Sequence, residues 1–261
     1  MNAIKLENSP IVYHISRCQS EKWIMLLHAA FVDHRMFTAL IAEFQDKYNI
    51  IAVDILGHGE STQGRKGDSI DKMSGWMKEI LLREKVSKVN LLGVSLGAVI
   101  VQDFANHCPE MVQSLACFGG YDINNFDPKM QQSNSAGQML MMLKALFSIK
   151  WFAQSNKKIS AYTEKAQNDF YELNLSFPKV SFMYLASLGS MVNKHKPQPR
   201  SYPLLIGCGQ HDIPMELEPV RMWAETEANC QTVIFEGAGH CANMDVPQVF
   251  NQALDSFWNK S

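Results

Sequence analysis

The sequence predicts an α/β fold in which a mostly parallel, doubly wound sheet is interrupted once by a helical insertion. Three observations lead to this prediction: short apolar runs recur along the chain, amphipathic segments follow them, and the alternation stops between Gly120 and about Arg200. Runs that are apolar on both faces are typical of parallel strands covered by helices on each side. Repetition of strand and helix then gives a doubly wound sheet.

Six apolar runs are predicted to be strands, and the first twenty residues are expected to add an antiparallel hairpin. The six runs are Trp23–Leu27, Ile50–Val53, Val89–Leu92, Leu115–Phe118, Pro203–Ile206 and Thr232–Phe235. The helices expected between them are Asp33–Lys47, Ile70–Glu84, Leu96–His107, Glu216–Ala228 and Pro247–Asn259. These elements assign residues 1–120 and 201–261 to the core of the fold.

Residues 121–200, the cap segment, contain no clear strand and are rich in methionine and aromatic residues. An insertion of this length must pack on the body of the fold or cover part of it. Open α/β sheets bind ligands at the carboxyl ends of their strands. We therefore expect a helical cap over that edge, with most of its apolar side chains packed against one another.

Composition excludes several classes of protein. The 261 residues carry 46% hydrophobic and 19% charged side chains and a formal charge of −2, so we expect a folded chain without affinity for nucleic acid. No apolar stretch reaches the roughly eighteen residues of a membrane span, and the N-terminus lacks the apolar core of a secretory signal. We expect a cytoplasmic protein that binds a small-molecule substrate. The composition is also compatible with assembly into a homodimer.

The six cysteines form no C-x-x-C pair, which excludes the usual zinc and dithiol spacings. We expect free thiols and neither a metal nor an organic cofactor. Cys241 is interpreted as a small buried side chain rather than a redox group.

The segment Val89–Ala98 contains the pattern G-x-S-x-G around Ser95, directly after an apolar strand and directly before a helix. A sharp strand-to-helix turn strains the serine backbone and requires small residues two positions before and after it, here Gly93 and Gly97. The turn lifts the hydroxyl clear of the sheet. Ser95 is therefore the predicted nucleophile.

A serine hydroxyl needs a base to take its proton, and His240 has the expected placement. It ends the glycine-bearing loop Glu236–His240, which follows the last predicted strand and precedes the helix that begins near Pro247. The histidines expected at the surface or at helix ends are His14, His34, His107, His195 and His211.

The acid that orients the histidine is expected after the preceding strand, where Pro203–Ile206 leads to Asp212. A carboxylate bonded to the imidazole fixes its tautomer and stabilises the imidazolium. The competing acid is Asp122, which follows the run ending at Phe118. Asp245 lies too close to His240 in the sequence and is interpreted as a helix cap.

Two backbone N–H groups are expected to hold the oxyanion. One comes from the loop after Trp23–Leu27 and is assigned to Ala30; the other belongs to Leu96, the residue after the nucleophile.

The chain resembles the α/β-hydrolase superfamily, in particular its cofactor-independent esterases and lactonases with helical caps. The residues that carry the resemblance are His28-Ala29, where the family usually has His-Gly, the turn Asp54–Ser61 of pattern D-x-x-G-H-G-x-S, the Ser95 elbow, and the Asp212 and His240 loops. Alanine at position 29 departs from the pattern, and it would be strained if the loop needs a positive φ there. The turn at Asp54–Ser61 is taken as structural, so His58 and Ser61 are left out of the catalytic set.

The resemblance implies cleavage of a carboxylic ester through an acyl-enzyme on Ser95. The apolar composition of the cap segment suggests a small, mostly apolar substrate. The same triad can serve a lactonase or a carbon–carbon bond hydrolase, and these alternatives stay open. An alternative of another class is a ligand-sensing protein that keeps the fold and signals through its cap. Serine at the elbow disfavours haloalkane dehalogenases and epoxide hydrolases, which need a carboxylate nucleophile.

Overall fold

In the residues that the computed structural model describes, eight strands form one sheet in the order β1-β2-β4-β3-β5-β6-β7-β8. The described residues are 1–62, 64–126, 145, 147–194, 196–212, 214–227 and 229–260. The strands are β1 (Asn2–Lys5), β2 (Val12–Ser16), β3 (Trp23–Leu27), β4 (Asn49–Val53), β5 (Val89–Val94), β6 (Val112–Phe118), β7 (Leu204–Gly209) and β8 (Cys230–Phe235). This confirms the doubly wound α/β fold, including the antiparallel N-terminal hairpin β1–β2.

The sheet is parallel from β4 to β8, while β2 joins β4 in antiparallel register. Every residue of β4, β5 and β7 is buried, which explains why these strands are apolar on both faces. Because parallel strands end at the same edge, the loops after β3, β5, β6, β7 and β8 meet there.

The helices of the core lie between the strands as predicted, with small shifts at their ends. They are α1 (Thr38–Phe44), α2 (Met73–Arg83), α3 (Leu96–His107), α8 (Pro214–Thr226), α9 (Ala242–Asp245) and α10 (Pro247–Trp258). The predicted helix 33–47 opens as a 3₁₀ turn, His34–Phe37, before α1 begins. Helix α8 begins two residues earlier than predicted, at Pro214, because proline suits the first position of a helix. No helix among the described residues is long and apolar enough to cross a membrane.

All secondary-structure elements that the structure describes in the cap segment are helices or 3₁₀ turns. Its helices are α4 (Ile149–Ser160), α5 (Glu164–Leu175), α6 (Phe182–Leu185) and α7 (Leu188–Lys194). Residues 127–144, 146 and 195, which include most of the methionine-rich stretch, lie outside the described residues. The division between core and cap at residues 120/121 and 200/201 stays a prediction.

Candidate active site

Ser95 occupies the tight turn between β5 and α3. Its φ of 55° and ψ of −116° place a non-glycine residue in a strained region of backbone space. The turn is held by the Ser95 N–H, which donates to the Phe118 carbonyl at 2.8 Å, and by the Ala98 N–H, which donates to the Ser95 carbonyl at 2.9 Å. The predicted nucleophile therefore lies at the carboxyl edge of the sheet on a turn with the expected strain.

The two glycines of the G-x-S-x-G pattern are required by close backbone contacts. A Cβ on Gly93 would lie 2.3 Å from the Gly97 carbonyl oxygen, and a Cβ on Gly97 would lie 2.0 Å from the Leu27 carbonyl oxygen. Both contacts are with backbone, which cannot move aside as a flexible side chain can. The strand, the turn and the helix therefore pack closely only because these positions lack side chains.

Asp212 and His240 are joined by a hydrogen bond of 3.0 Å between Asp212 Oδ1 and His240 Nδ1. The two residues follow the neighbouring parallel strands β7 and β8. The Asp212 side chain is fully buried, and that of His240 is 14% exposed. A carboxylate bonded to Nδ1 holds the ring proton there, so that Nε2 can act as a base.

Gly119 connects this pair to the Ser95 turn. It follows Phe118, whose carbonyl accepts the Ser95 N–H, and its φ is +59°. A Cβ on Gly119 would lie 3.0 Å from both Cε1 and Nδ1 of His240. The imidazole therefore packs against the residue next to the backbone partner of Ser95, and the three predicted triad residues approach the same edge of the sheet.

Asp122, the competing acid, is bound elsewhere. Its Oδ1 lies 2.6 Å from Nη2 of Arg200, and it accepts the Asn124 N–H at 3.0 Å at the start of a 3₁₀ turn. Its Oδ2 accepts the Asn125 side-chain amide at 2.6 Å. Arg200 also pairs with Glu227. Among the described contacts, Asp122 therefore serves a buried ion pair at the end of the cap segment, which the sequence analysis did not anticipate.

The loop after β3 lies against the start of α3, as the predicted oxyanion hole requires. The Gly97 N–H donates to the His28 carbonyl at 3.1 Å, and the Ala29 N–H points at the sulfur of Met36 at 3.2 Å. Among the described residues, the N–H groups of Ala30 and Leu96 donate no hydrogen bond. Both are therefore available to a developing oxyanion.

The strained position of this loop differs from the one considered in the sequence analysis. Positive φ falls on Phe31, at 73°, and not on Ala29. Alanine at position 29 thus carries no left-handed penalty, and the family's usual glycine is replaced there without strain. The strained residue is instead Phe31, two positions later, whose ring packs against Phe152 of the cap segment.

His28 holds the loop after β3 in place through two hydrogen bonds of its ring. Its Nε2 accepts the Ile55 N–H at 2.9 Å, so its proton is on Nδ1, which donates to the Ala29 carbonyl at 2.7 Å. Complete burial lowers the pKa of His28 and keeps the ring neutral. The histidine of the His-Ala pair therefore fixes the Ala29 backbone next to Ala30.

The turn Asp54–Ser61 is built around the buried side chain of Asp54. The Asp54 carboxylate accepts the backbone N–H groups of His34 and Glu60, at 3.0 and 2.9 Å. Gly59 has a φ of +49°, and a Cβ there would lie 2.3 Å from Asp54 Oδ2. Glycine therefore allows the backbone to approach the carboxylate this closely. His58 is fully buried, and burial lowers its pKa to about 3.

Contrary to the expectation that it is a surface or helix-cap residue, His14 is buried in β2 beside Asp54. Its Nε2 lies 3.3 Å from Asp54 Oδ2, and His34 Nδ1 lies 2.8 Å from Asp54 Oδ1. Burial alone would raise the pKa of Asp54, but the hydrogen bonds from both histidines hold it well below its usual range. The rings of His14 and His34 stack, with centroids 3.4 Å apart and planes 19° from parallel, so that one metal ion could not lie close to the plane of both rings.

The interpretation of Asp245 as a helix cap is wrong. The helix that follows, α10, is preceded by Val246 and has no side-chain cap, while the Asp245 carboxylate accepts N–H groups from Gly239, Tyr162 and Thr163. The reason is that α9 ends at Asp245 and turns its side chain toward the cap segment and the His240 loop.

Four phenylalanines form an aromatic cluster between the oxyanion loop and the cap segment. Their ring centroids lie 5.0–5.6 Å apart, and the cluster consists of Phe31, Phe152, Phe177 and Phe182. A further bond joins the Asn174 amide to the Phe31 carbonyl at 3.2 Å. Helices of the cap segment therefore touch the loop that carries Ala30. The aromatic content of the segment was the only sequence signal for this contact.

Comparison with known proteins agrees with the fold. The family model for the alpha/beta hydrolase fold matches residues 22–148. A curated relative, an (E)-2-((N-methylformamido)methylene)succinate hydrolase of Acinetobacter baylyi, is 21% identical over 97% of this chain and 96% of its own length. A second, 3-oxoadipate enol-lactonase 2 of the same organism, is 24% identical over 85% of this chain and 82% of its own length.

Solved structures show the same architecture. A thermophilic esterase from Thermogutta terrifontis superposes with a TM-score of 0.78, at 19% identity, over 99% of this chain and 98% of the other. An enol-lactonase from Burkholderia xenovorans superposes with a TM-score of 0.74, at 17% identity, over 95% and 96%. The chain therefore has the alpha/beta hydrolase fold, and it is similar to enzymes named as hydrolases, esterases and enol-lactonases.

Proposed function

We propose that this chain is a serine hydrolase that cleaves the carboxylic ester bond of a small, largely apolar substrate, with Ser95, His240 and Asp212 as its triad. The observation that carries the proposal is the Asp212–His240 hydrogen bond of 3.0 Å at the end of the sheet where Ser95 occupies its strained turn. A base held in one tautomer activates a serine hydroxyl by taking its proton.

In the first half of the reaction, Ser95 Oγ attacks the ester carbonyl while His240 Nε2 takes its proton. The carbonyl oxygen gains the negative charge, which the N–H groups of Ala30 and Leu96 stabilise. Since these donors are fixed before reaction, they need no reorganisation when the charge appears. His240 then gives its proton to the leaving alcohol, and the C–O bond breaks to leave an acyl group on Ser95.

The second half repeats these steps with water. His240 takes a proton from the water, the hydroxyl adds to the acyl carbon, and the proton returns to Ser95 Oγ as the acid is released. Asp212 stays ionised and stabilises the imidazolium in both halves.

The aromatic cluster supports an apolar substrate. Phe31 directly follows Ala30, and the rings of Phe152, Phe177 and Phe182 surround it. An acyl or aryl group bound at Ala30 would therefore lie beside hydrocarbon, which favours apolar over charged substituents.

A cyclic ester is the second candidate substrate. Two proteins similar to this chain are named enol-lactonases, one by sequence and one by structure. Opening a lactone uses the same attack, but the leaving alcohol stays attached to the acyl group. Carbon–carbon bond hydrolysis is a further alternative for the same triad.

The alternative from another class is a ligand sensor that signals through its cap. Its rate of turnover would distinguish it from an enzyme. A sensor binds its ligand and hydrolyses it very slowly, whereas an enzyme turns over many equivalents.

Hydrolysis of p-nitrophenyl esters of increasing acyl length tests the proposal, with a panel of γ- and δ-lactones beside them. We expect multiple turnovers, faster with short acyl chains, and a loss of about 10⁴-fold or more in Ser95→Ala. Faster turnover of lactones than of esters would favour the second candidate. Undiminished turnover in Ser95→Ala, or hydrolysis that stops after one equivalent, would reject the serine-hydrolase proposal.

A further inference from the structure

Asp245 joins the cap segment to the loop that carries His240. One carboxylate oxygen accepts the Gly239 N–H at 2.8 Å and the Tyr162 N–H at 3.0 Å. The other accepts the Thr163 N–H at 2.7 Å and the Thr163 hydroxyl at 2.8 Å. One side chain thus binds the residue before His240 and two residues of the turn between α4 and α5.

Further contacts close the same junction. The Cys241 N–H donates to the Ser160 carbonyl at 2.7 Å, so the residues on both sides of His240 are bonded across it. A Cβ on Gly239 would lie 3.0 Å from the Tyr162 nitrogen, so glycine permits the approach. The loop that carries His240 is therefore held by cap residues and not only by its own strand.

The acid of the triad borders the same contact. The Tyr162 ring stacks on the ring of His211, with centroids 3.9 Å apart and planes 8° from parallel. His211 directly precedes Asp212, so the turn at Ser160–Thr163 touches the segments of both residues that form the 3.0 Å hydrogen bond.

We propose that Asp245 is a positioning residue: by binding Gly239 and the turn Ser160–Thr163 together, it makes the placement of His240 depend on the docked cap. The inference rests on the proposed function, because it gives His240 the role of base. Misplacement of a catalytic group by about 1 Å can cost about 10²-fold in rate. A docked cap therefore aligns the base, and an undocked cap leaves it out of register with Ser95.

Asp245→Asn tests this with little change in shape. In either orientation of the amide, its NH₂ faces a backbone N–H, that of Gly239 or that of Thr163, so one side of the junction loses its acceptor. The matched control is Asp255→Asn in α10, an acid whose side chain is 42% exposed and lies 3.9 Å from Lys47 Nζ. Each of the two substitutions removes one negative charge.

The readouts are kcat and KM for p-nitrophenyl butyrate, and the rate at which a fluorophosphonate labels Ser95. In Asp245→Asn we expect kcat and the labelling rate to fall together by about 10- to 100-fold, with KM within about twofold of wild type. Asp255→Asn should match wild type in all three. Gly239→Ala, whose Cβ would lie 3.0 Å from the Tyr162 nitrogen and so requires a small shift of that backbone, should change kcat and the labelling rate in the same direction.

An Asp245→Asn protein that folds, melts as a single transition, and keeps the wild-type kcat and labelling rate would overturn the inference, as would a change confined to KM. If wild type itself neither hydrolyses the ester nor takes the label, the serine-hydrolase proposal fails instead. The two failures are therefore distinguishable.

Discussion

Asp122 and Arg200 form a buried ion pair, with Oδ1 of the carboxylate 2.6 Å from Nη2 of the guanidinium and both side chains less than a tenth exposed. The Arg200 guanidinium also lies over the ring of Trp223, 5.0 Å from its centroid. Since Arg200 also pairs with Glu227, removing the Asp122 charge would leave the buried guanidinium with one carboxylate partner instead of two, which should lower stability. The two candidate acids thus have different contacts: Asp122 pairs with Arg200, whereas Asp212 bonds to His240, the residue proposed as the base.

The same substitution should therefore lower kcat at Asp212 and lower the stability of the fold at Asp122. Asp212→Asn is expected to lower kcat by about 10⁴-fold, because the amide favours the wrong imidazole tautomer. Asp122→Asn should lower the free energy of unfolding by about 1–3 kcal/mol and keep most of kcat. Ester kinetics and urea unfolding of both variants check this. The reverse ranking of kcat would move the acid to the end of β6.

The elbow glycines give a prediction about folding with an internal control. Gly97→Ala places a Cβ 2.0 Å from the Leu27 carbonyl oxygen, so we expect a loss of at least about 2 kcal/mol in the free energy of unfolding. In Gly75→Ala the new Cβ meets nothing within 4 Å, and the position lies in α2. That variant should gain about 0.5–1 kcal/mol, because alanine favours a helix. Equal effects in urea unfolding would contradict the packing of the elbow.

Burial of His58 predicts a dependence of stability on pH. Its pKa is lowered from 6.5 to about 3 by burial, so between these values the unfolded chain binds a proton that the folded chain does not. Stability from this group is therefore present above about pH 6.5 and is lost as the pH falls toward 3. At pH 5 the loss should be about 2 kcal/mol.

Comparison of wild type with His58→Asn isolates this effect, because all other groups are shared. The urea midpoint of wild type should fall more between pH 7 and pH 5 than that of the variant. Equal falls would show that the ring is protonated in the folded protein and that its burial is incomplete.

The sequence predicted the strands, the elbow and the chain order of the triad because these depend on local patterns. A strand apolar on both faces, such as β5, must lie inside a sheet, and glycines flanking Ser95 indicate a turn with no room for side chains. The positions of Asp212 and His240 followed from the meeting of parallel strand ends. Their hydrogen bond is a consequence of that topology, although their roles in catalysis stay a prediction.

What the sequence did not predict depends on contacts between distant segments. The partner of Asp122 is Arg200, 78 residues away, and nothing near either residue marks the pair. Asp245 was assigned to the adjacent helix because local rules favour local partners, but besides Gly239 its donors are Tyr162 and Thr163 of the cap segment, 83 and 82 residues earlier. Likewise the partner of the buried His14 is Asp54, 40 residues away, which follows the neighbouring strand β4.

Covalent trapping of the nucleophile tests the central claim most directly. Ser95 Oγ should displace fluoride from a fluorophosphonate and form an O–P bond, giving one adduct per chain that mass spectrometry maps to the peptide containing Ser95. Labelling should be lost in Ser95→Ala and slowed by orders of magnitude in His240→Ala. An adduct on another residue, or ester hydrolysis that persists after Ser95 is fully blocked, would contradict the account.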